Sequence, residues 1–319
     1  MMTTHRISEA SKGVYVIAAT PFTERGEIDF NSTDRLMDFY LEEGVHGITV
    51  LGIMGEAPKL TEAEQIALVQ RVLKRVGGRV PVMVGVSNPG VDNLAALARR
   101  TIDDGAAGVM IAPTPGLRTE DQIVGYFAKV FERLGPDIPV CLQDYPPTTQ
   151  VWMSVATINK LIDDFPSLVM FKHEDAPGLR KLSQLRRAAK DGRRRVSILT
   201  ANGGLYVPQE LLRGADGVNT GFAFSRMLVE MWNLFNAGRA DEAEDLYDFY
   251  LPILRHEQQF GFGLAVRKEI LRRRGAIASS AVRQPGPSLD ADDRAELDGL
   301  LRRLRRKLEL AGRPLPRGL

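Results

Sequence analysis

One cysteine, four histidines and two tryptophans in 319 residues leave little room for several kinds of protein. A lone Cys141 inside an apolar run excludes a disulfide framework and points to a reducing compartment, the cytoplasm. His5, His46, His173 and His256 are scattered without metal-ligand spacing, so neither a metal nor another cofactor is expected. His256-Glu257-Gln258-Gln259-Phe260 approaches the zinc motif HExxH, but Phe260 stands where the second histidine must be. A P-loop and a Gly-x-Ser-x-Gly elbow are missing too. No apolar stretch approaches the ~20 residues that span a bilayer, and the polar, mixed first 13 residues lack the apolar core of a signal peptide. Charge of one sign is also lacking. Against 40 acidic side chains stand 42 basic ones, which offers no electrostatic footprint for nucleic acid or membrane.

What is present is an ordinary globular composition, 44% hydrophobic and 26% charged. Eight short apolar, β-branched runs lie at residues 14–21, 47–51, 80–86, 108–112, 139–142, 168–171, 196–199 and 217–222. Segments of helical period separate them, at 32–43, 61–76, 91–104 and 120–134; in the third, Leu94, Leu97, Ala98 and Ile102 share one face. Strands alternating with helices imply βα units and a parallel sheet.

One junction recurs. Gly44-Val45-His46-Gly47, Gly105-Ala106-Ala107-Gly108 and Gly214-Ala215-Asp216-Gly217 each place a glycine at a helix end and a second before an apolar strand. The first suits the left-handed conformation that ends a helix, the second close helix–strand packing. Such repetition predicts a closed (β/α)8 TIM barrel of the α/β class, with its site at the C-terminal ends of the strands. A doubly wound open sheet is the alternative, but no GxGxxG follows the first strand. Apolar spacings three and four apart then predict helices at 228–236, 240–259, 264–274 and 291–310. The expected organisation is a tail at 1–12, a barrel at 13–225, C-terminal helices packed on it at 226–311, and a tail at 312–319.

Lys172 closes the apolar run Ser167-Leu168-Val169-Met170-Phe171, where a strand emerges from the core. Lysine is almost never buried without a reason. Burial disfavours the ammonium form and leaves an amine able to attack a carbonyl carbon. Other strand ends carry Thr20-Pro21-Phe22, the turn Gly52-Ile53-Met54-Gly55-Glu56, whose free N–H groups suit a carboxylate, and Gln143-Asp144-Tyr145-Pro146-Pro147.

On these residues, with Gly214…Gly217-Val218, the chain resembles the dihydrodipicolinate synthase/N-acetylneuraminate lyase family of barrel aldolases over roughly residues 12–275. The resemblance implies that Lys172 forms a Schiff base with pyruvate or another 2-oxo acid. The imine then acts as an electron sink for making or breaking a C–C bond or for losing a β-hydroxyl as water. It implies a small-molecule 2-oxo acid as partner and a homotetramer. It also marks departures. The family's Gly-Thr-Thr-Gly-Glu reads Gly52-Ile53-Met54-Gly55-Glu56, its strand-five tyrosine is Gln143, and the arginine after its proline is Thr148. Pro113-Thr114-Pro115 occupies the place of a strand-four tyrosine that relatives share between subunits. The Gln-Asp-x-Pro turn and the Phe-Lys-x-Glu strand are similar to the branch that dehydrates 2-keto-3-deoxy sugar acids. Asn219 holds the eighth-strand place whose backbone contacts the 2-oxo acid in relatives.

Side chains alternate along a strand. If Gln143 faces the lumen, so do Cys141 and Tyr145, while Asp144 faces the helices; Lys172 and Glu174 face in, and His173 out. The candidate catalytic residues are therefore Lys172, Gln143 and Tyr145, and the candidate binding residues Gly52, Ile53, Met54, Gly55 and Asn219. The expected function is a Schiff-base lyase, a 2-keto-3-deoxy sugar acid dehydratase or aldolase. The alternatives are 4-hydroxy-tetrahydrodipicolinate synthase and a non-catalytic barrel that senses a ligand. Arg118, after the fourth strand, is the residue expected to compensate for Thr148 if a second carboxylate is bound.

Overall fold

The computed structural model describes residues 5–319; residues 1–4 of the expected N-terminal tail lie outside the described residues. Eight parallel strands close into a barrel in sequence order: β1 (Gly13–Ile17), β2 (Gly47–Val50), β3 (Val82–Gly85), β4 (Gly108–Ile111), β5 (Val140–Asp144), β6 (Leu168–His173), β7 (Ser197–Thr200) and β8 (Gly217–Thr220). Closure is made by β1 against β8, with Tyr15 opposite Asn219. The helices around it are α1 (Phe30–Glu42), α2 (Glu62–Val76), α3 (Val91–Asp103), α4 (Glu120–Leu134), the short α5 (Pro146–Thr149), α6 (Val155–Asp164), α7 (Leu179–Lys190) and α8 (Val207–Leu212). Four more complete the chain: α9 (Ser225–Asn236), α10 (Ala240–Glu257), α11 (Gly263–Arg273) and α12 (Ala291–Leu310). The barrel read from the periodicity is the barrel observed, and the open sheet is excluded. None of the described helices is long and apolar enough to cross a membrane.

Local chemistry explains where the elements begin. Thr61 and Thr119 form reciprocal capping boxes with Glu64 and Gln122 at the starts of α2 and α4, satisfying N–H groups that a helix cannot satisfy itself. At the recurring junction Gly44, Gly105 and Gly214 have φ of 81°, 106° and 91°, the left-handed region that only glycine enters freely. The second glycine has a different cause from the one expected. A methyl group on Gly47 would meet the Tyr15 ring at 2.3 Å, and one on Gly108 the Ile7 side chain at 2.5 Å. These neighbours lie within the barrel, not on the helices. The constraint comes from filling a narrow lumen.

Two apolar bodies result. The larger lies between sheet and helices. The smaller, Ile7, Tyr15, Met83, Ala107, Met110, Cys141, Val169, Met170 and Leu199, includes the lumen-facing side chains that fill the lower barrel. Filling stops at the level of Gln143 and Lys172, which stand opposite each other across β5 and β6. The cavity begins there.

Candidate active site

A cavity of about 580 Å³ opens at the C-terminal ends of the strands. Gln143, Tyr145, Lys172, Glu174, Ile53, Met54 and Asn219 all line it. Of the binding residues expected from the turn, Gly52 and Gly55 do not line it; they shape the turn that presents Ile53 and Met54. The Gly55 N–H, expected to hold a carboxylate, donates to the Gly52 carbonyl at 2.9 Å. A short 3₁₀ turn over Ile53–Gly55 closes that bond and removes the donor from use.

Lys172 is 4% exposed, but its surroundings are not purely apolar. Glu174 Oε1 lies 2.7 Å from Lys172 Nζ and accepts a hydrogen bond from Gln143 Nε2 at 2.7 Å. One carboxylate oxygen thus joins the amine to the amide. Tyr145 stands nearby on the cavity wall. Burial pushes its hydroxyl above the usual phenol range, and the Glu174 charge adds to this. Beneath, burial pushes the Cys141 thiol up to about 12, leaving it an inert part of the lumen packing.

The alternate residues of the same strands face the helices. His173 Nε2 meets the Gly178 carbonyl at 2.9 Å, and its ring stacks on Phe171. Asp144 accepts from Lys181 Nζ at 2.9 Å, and Asp175 holds the same ammonium at 2.6 Å. His173 adjoins Lys172 in sequence, yet it points away from the cavity.

The loops carrying the site are held in place by unusual backbone and by a buried ion pair. Among the described residues, the non-glycine residues with left-handed φ are Leu51, Glu56, Gln150 and Asn202, all in loops that follow β2, β5 or β7. Such strain persists only where surrounding contacts over-determine it. Glu56 shows those contacts. Its carboxylate accepts from the fully buried Lys268 of α11 at 2.6 Å, from Lys59 at 3.0 Å and from the Arg283 N–H at 3.0 Å. The β2 turn is thereby tied to α11 and to the segment that brings Val282, Pro285, Gly286 and Pro287 over the cavity.

Four charged residues of the cavity have no role in the sequence analysis: Lys59, Glu174, which it places facing in, and Glu257 and Arg267, from α10 and α11. Parity could have promoted Glu174. For Arg267 the signal is its spacing, three residues after Leu264 and four before Leu271, on the stripe where apolar side chains belong. Arg118 is exposed, lies outside the cavity lining, and has its N–H bonded to Gln122. The arginine in the cavity is Arg267.

Comparison with known proteins agrees with this geometry. A sequence model of the dihydrodipicolinate synthetase family matches residues 10–304. The chain belongs to that family. It is 31% identical over 307 residues to the L-2-keto-3-deoxyarabonate dehydratase of Azospirillum brasilense, covering 92% of this chain and 94% of the relative. It is also 31% identical over 248 residues to a 4-hydroxy-tetrahydrodipicolinate synthase of Oceanobacillus iheyensis, covering 76% and 80% of the two chains. A crystal structure named as dihydrodipicolinate synthase from Rhodopseudomonas palustris superposes with a TM-score of 0.91 at 50% identity, covering 93% of this chain and 99% of that one. Members of the family are class I lyases, and this chain is a Schiff-base lyase of that class. The names of its relatives divide between dehydration and condensation.

Proposed function

We propose that the protein dehydrates a 2-keto-3-deoxy sugar acid through an imine on Lys172. The observation that carries this reading is the carboxylate of Glu174, 2.7 Å from the Lys172 amine and bonded to Gln143 at the same distance. An acid–base group therefore stands beside the nucleophile although the family's strand-five tyrosine is absent.

The Lys172 amine attacks the C2 carbonyl carbon, and that oxygen leaves as water to form the protonated imine. The imine draws electrons from C3, whose proton passes to the Glu174 carboxylate, with the neutral Tyr145 hydroxyl as a donor on the cavity wall. The resulting enamine expels the C4 hydroxyl, which takes a proton and leaves as a second water. Hydrolysis of the imine returns Lys172 and releases the product. The substrate carboxylate is assigned to the N–H groups of the β2 turn, with Met54 as the open donor in place of Gly55. Asn219 borders the opposite side of the bound acid. No metal or other cofactor is assigned a step. The cytoplasm is the assigned compartment and a homotetramer the assigned assembly, the latter resting on the family alone.

Condensation of pyruvate with aspartate semialdehyde is the second reading, favoured by the names of two relatives. It requires a grip on a second carboxylate, for which a bidentate arginine is suited. Thr148 stands at the family's position for that arginine and offers one neutral hydroxyl. The deciding experiment assays the purified protein with 2-keto-3-deoxy pentonic and hexonic acids, and separately with pyruvate plus aspartate semialdehyde. Turnover of a sugar acid near the usual enzymatic range of roughly 10⁴ M⁻¹ s⁻¹ or above, with condensation weak or absent, is the expected result. Robust condensation at comparable rates overturns the reading.

A further inference from the structure

The cavity has a second polar end, two strands round the barrel from Lys172. Gly221 follows β8, and a methyl group there would lie 2.7 Å from Arg267 Nη1 and 2.9 Å from the Ile17 carbonyl of β1. Arg267 thus caps the junction of β8 and β1. It is 2% exposed, and its Nε donates to Glu257 Oε1, while Glu257 Oε2 accepts from the Ala223 N–H at 3.1 Å. Arg267 Nη1 is buried without any partner. So is Nδ2 of Asn219, a fully buried residue whose Oδ1 faces the Thr49 hydroxyl at 3.3 Å. Both residues line the cavity, as does Glu257. Buried donors are costly to leave unpaired, and these two flank a space large enough for a whole small ligand.

The ligand must bring acceptor oxygens. A second carboxylate would share one guanidinium with the buried carboxylate of Glu257, and two like charges in a poorly solvated site repel. A hydroxyl avoids this. Its oxygen accepts from Arg267 while its proton goes to a free lone pair of Glu257, since each oxygen of that carboxylate has accepted only one bond. We infer that Arg267, Glu257 and Asn219 form a subsite for the distal hydroxyls of the sugar acid whose keto carbon is held at Lys172. The inference rests on the sugar-acid reading above. It makes Arg267 a specificity residue and leaves the imine chemistry to Lys172.

The test compares two substrates and one adduct. 2-Oxo-4,5-dihydroxypentanoate carries the terminal hydroxyl, and 2-oxo-4-hydroxypentanoate lacks it. Pyruvate trapped with borohydride reports Lys172 alone. In Arg267→Met, kcat/KM for the dihydroxy acid should fall roughly 10- to 100-fold, as for loss of a charged hydrogen bond. The monohydroxy acid should change less than about threefold on the same grounds, with pyruvate trapping at the wild-type level. Arg267→Lys keeps a charge beside Glu257 but not the fork. It should show the same selective loss and serves if Arg267→Met does not fold. Equal loss on both acids, or loss of the pyruvate adduct, overturns the subsite. A wild-type protein that traps pyruvate but turns over neither acid overturns the sugar-acid reading itself, and the subsite with it.

Discussion

Two adjacent faces of the same pair of strands carry nearly the same chemistry and serve opposite ends. Inward, Gln143, Lys172 and Glu174 place an amine against a carboxylate and an amide, at the floor of a cavity. Outward, one residue on in each case, Asp144 and Asp175 hold the Lys181 ammonium of α7, and His173 meets the Gly178 carbonyl. The inner set is buried, as are Asp144 and His173, while Asp175 is half-buried, and both sets have a lysine held by carboxylate. What differs is that one opens onto space large enough for a ligand and the other is closed by a helix. Chemistry requires an amine that a substrate can reach, and the alternation of side chains along a strand decides which lysine that is.

The largest expected effect separates the two lysines. Lys172→Ala removes the nucleophile and should lower turnover by at least about 10⁴-fold, the scale of losing a covalent catalyst. Borohydride trapping with pyruvate should then add no mass, whereas Lys181→Ala should still be labelled, at Lys172. Labelling on the outer lysine, or on Lys59, which also lines the cavity, would reverse the assignment.

Next comes the carboxylate. Glu174→Gln preserves the shape and the contact with Lys172 but cannot take a proton. Positioned acid–base groups contribute about 10²- to 10⁴-fold, and kcat should fall in that range while the pyruvate adduct still forms. A variant that loses the adduct but keeps a normal kcat on the fraction modified would make Glu174 a group that positions Lys172 and not the acid–base group.

The fold was legible because eight apolar runs and their separating helices repeat one unit, and repetition survives local ambiguity. The inner half of the site was legible for a related reason: its residues end two neighbouring strands, so parity locates them from a few adjacent letters. Arg267 and Glu257 escaped because they reach the cavity from helices that begin after the barrel has closed. No local pattern says which strand end such a helix will cover. Arg118 was misplaced on the same account, since following a strand is not the same as facing its lumen. The glycines that open β2 and β4 were read correctly as tight places but for the wrong neighbour, because the sequence does not show how narrow the lumen is.

On the outer face the expected damage is to stability. Asp144 is fully buried, and its truncation to Ala leaves the Lys181 ammonium, itself largely covered, with Asp175 alone. Removing one partner of a buried pair costs about 3–5 kcal/mol. Thermal or denaturant unfolding should show a loss of that size, with kcat in the remaining folded enzyme changed less than about threefold, below the scale of a lost catalytic group. A large fall in kcat at unchanged stability would mean that the outer set takes part in catalysis.

The smallest effect tests how far the outer face depends on pH. Glu210 of α8 is 3% exposed, with Oε2 unpartnered, and burial pushes its carboxyl up to about 7. Thr200 and the facing His173 of β6 pull it down, Glu174 pushes it up, and Tyr247 of α10 lies close enough to feel its charge. An acid raised in the folded state is protonated there when its unfolded counterpart, near 4.5, has already ionised. Between about pH 4.5 and 7 the folded form therefore binds the extra proton, and folding stability must fall as pH rises through this window. The full loss, reached above pH 7, is on the order of 3 kcal/mol at 1.36 kcal/mol per unit. Glu210→Gln cannot ionise, so unfolding titrations should show the variant more stable than wild type at pH 8, with the advantage gone at pH 4.5. Lys172 lies on the other face, so pyruvate trapping should not change between the two proteins at either pH. A variant less stable than wild type at pH 8 would mean that Glu210 is charged and paired in the folded protein.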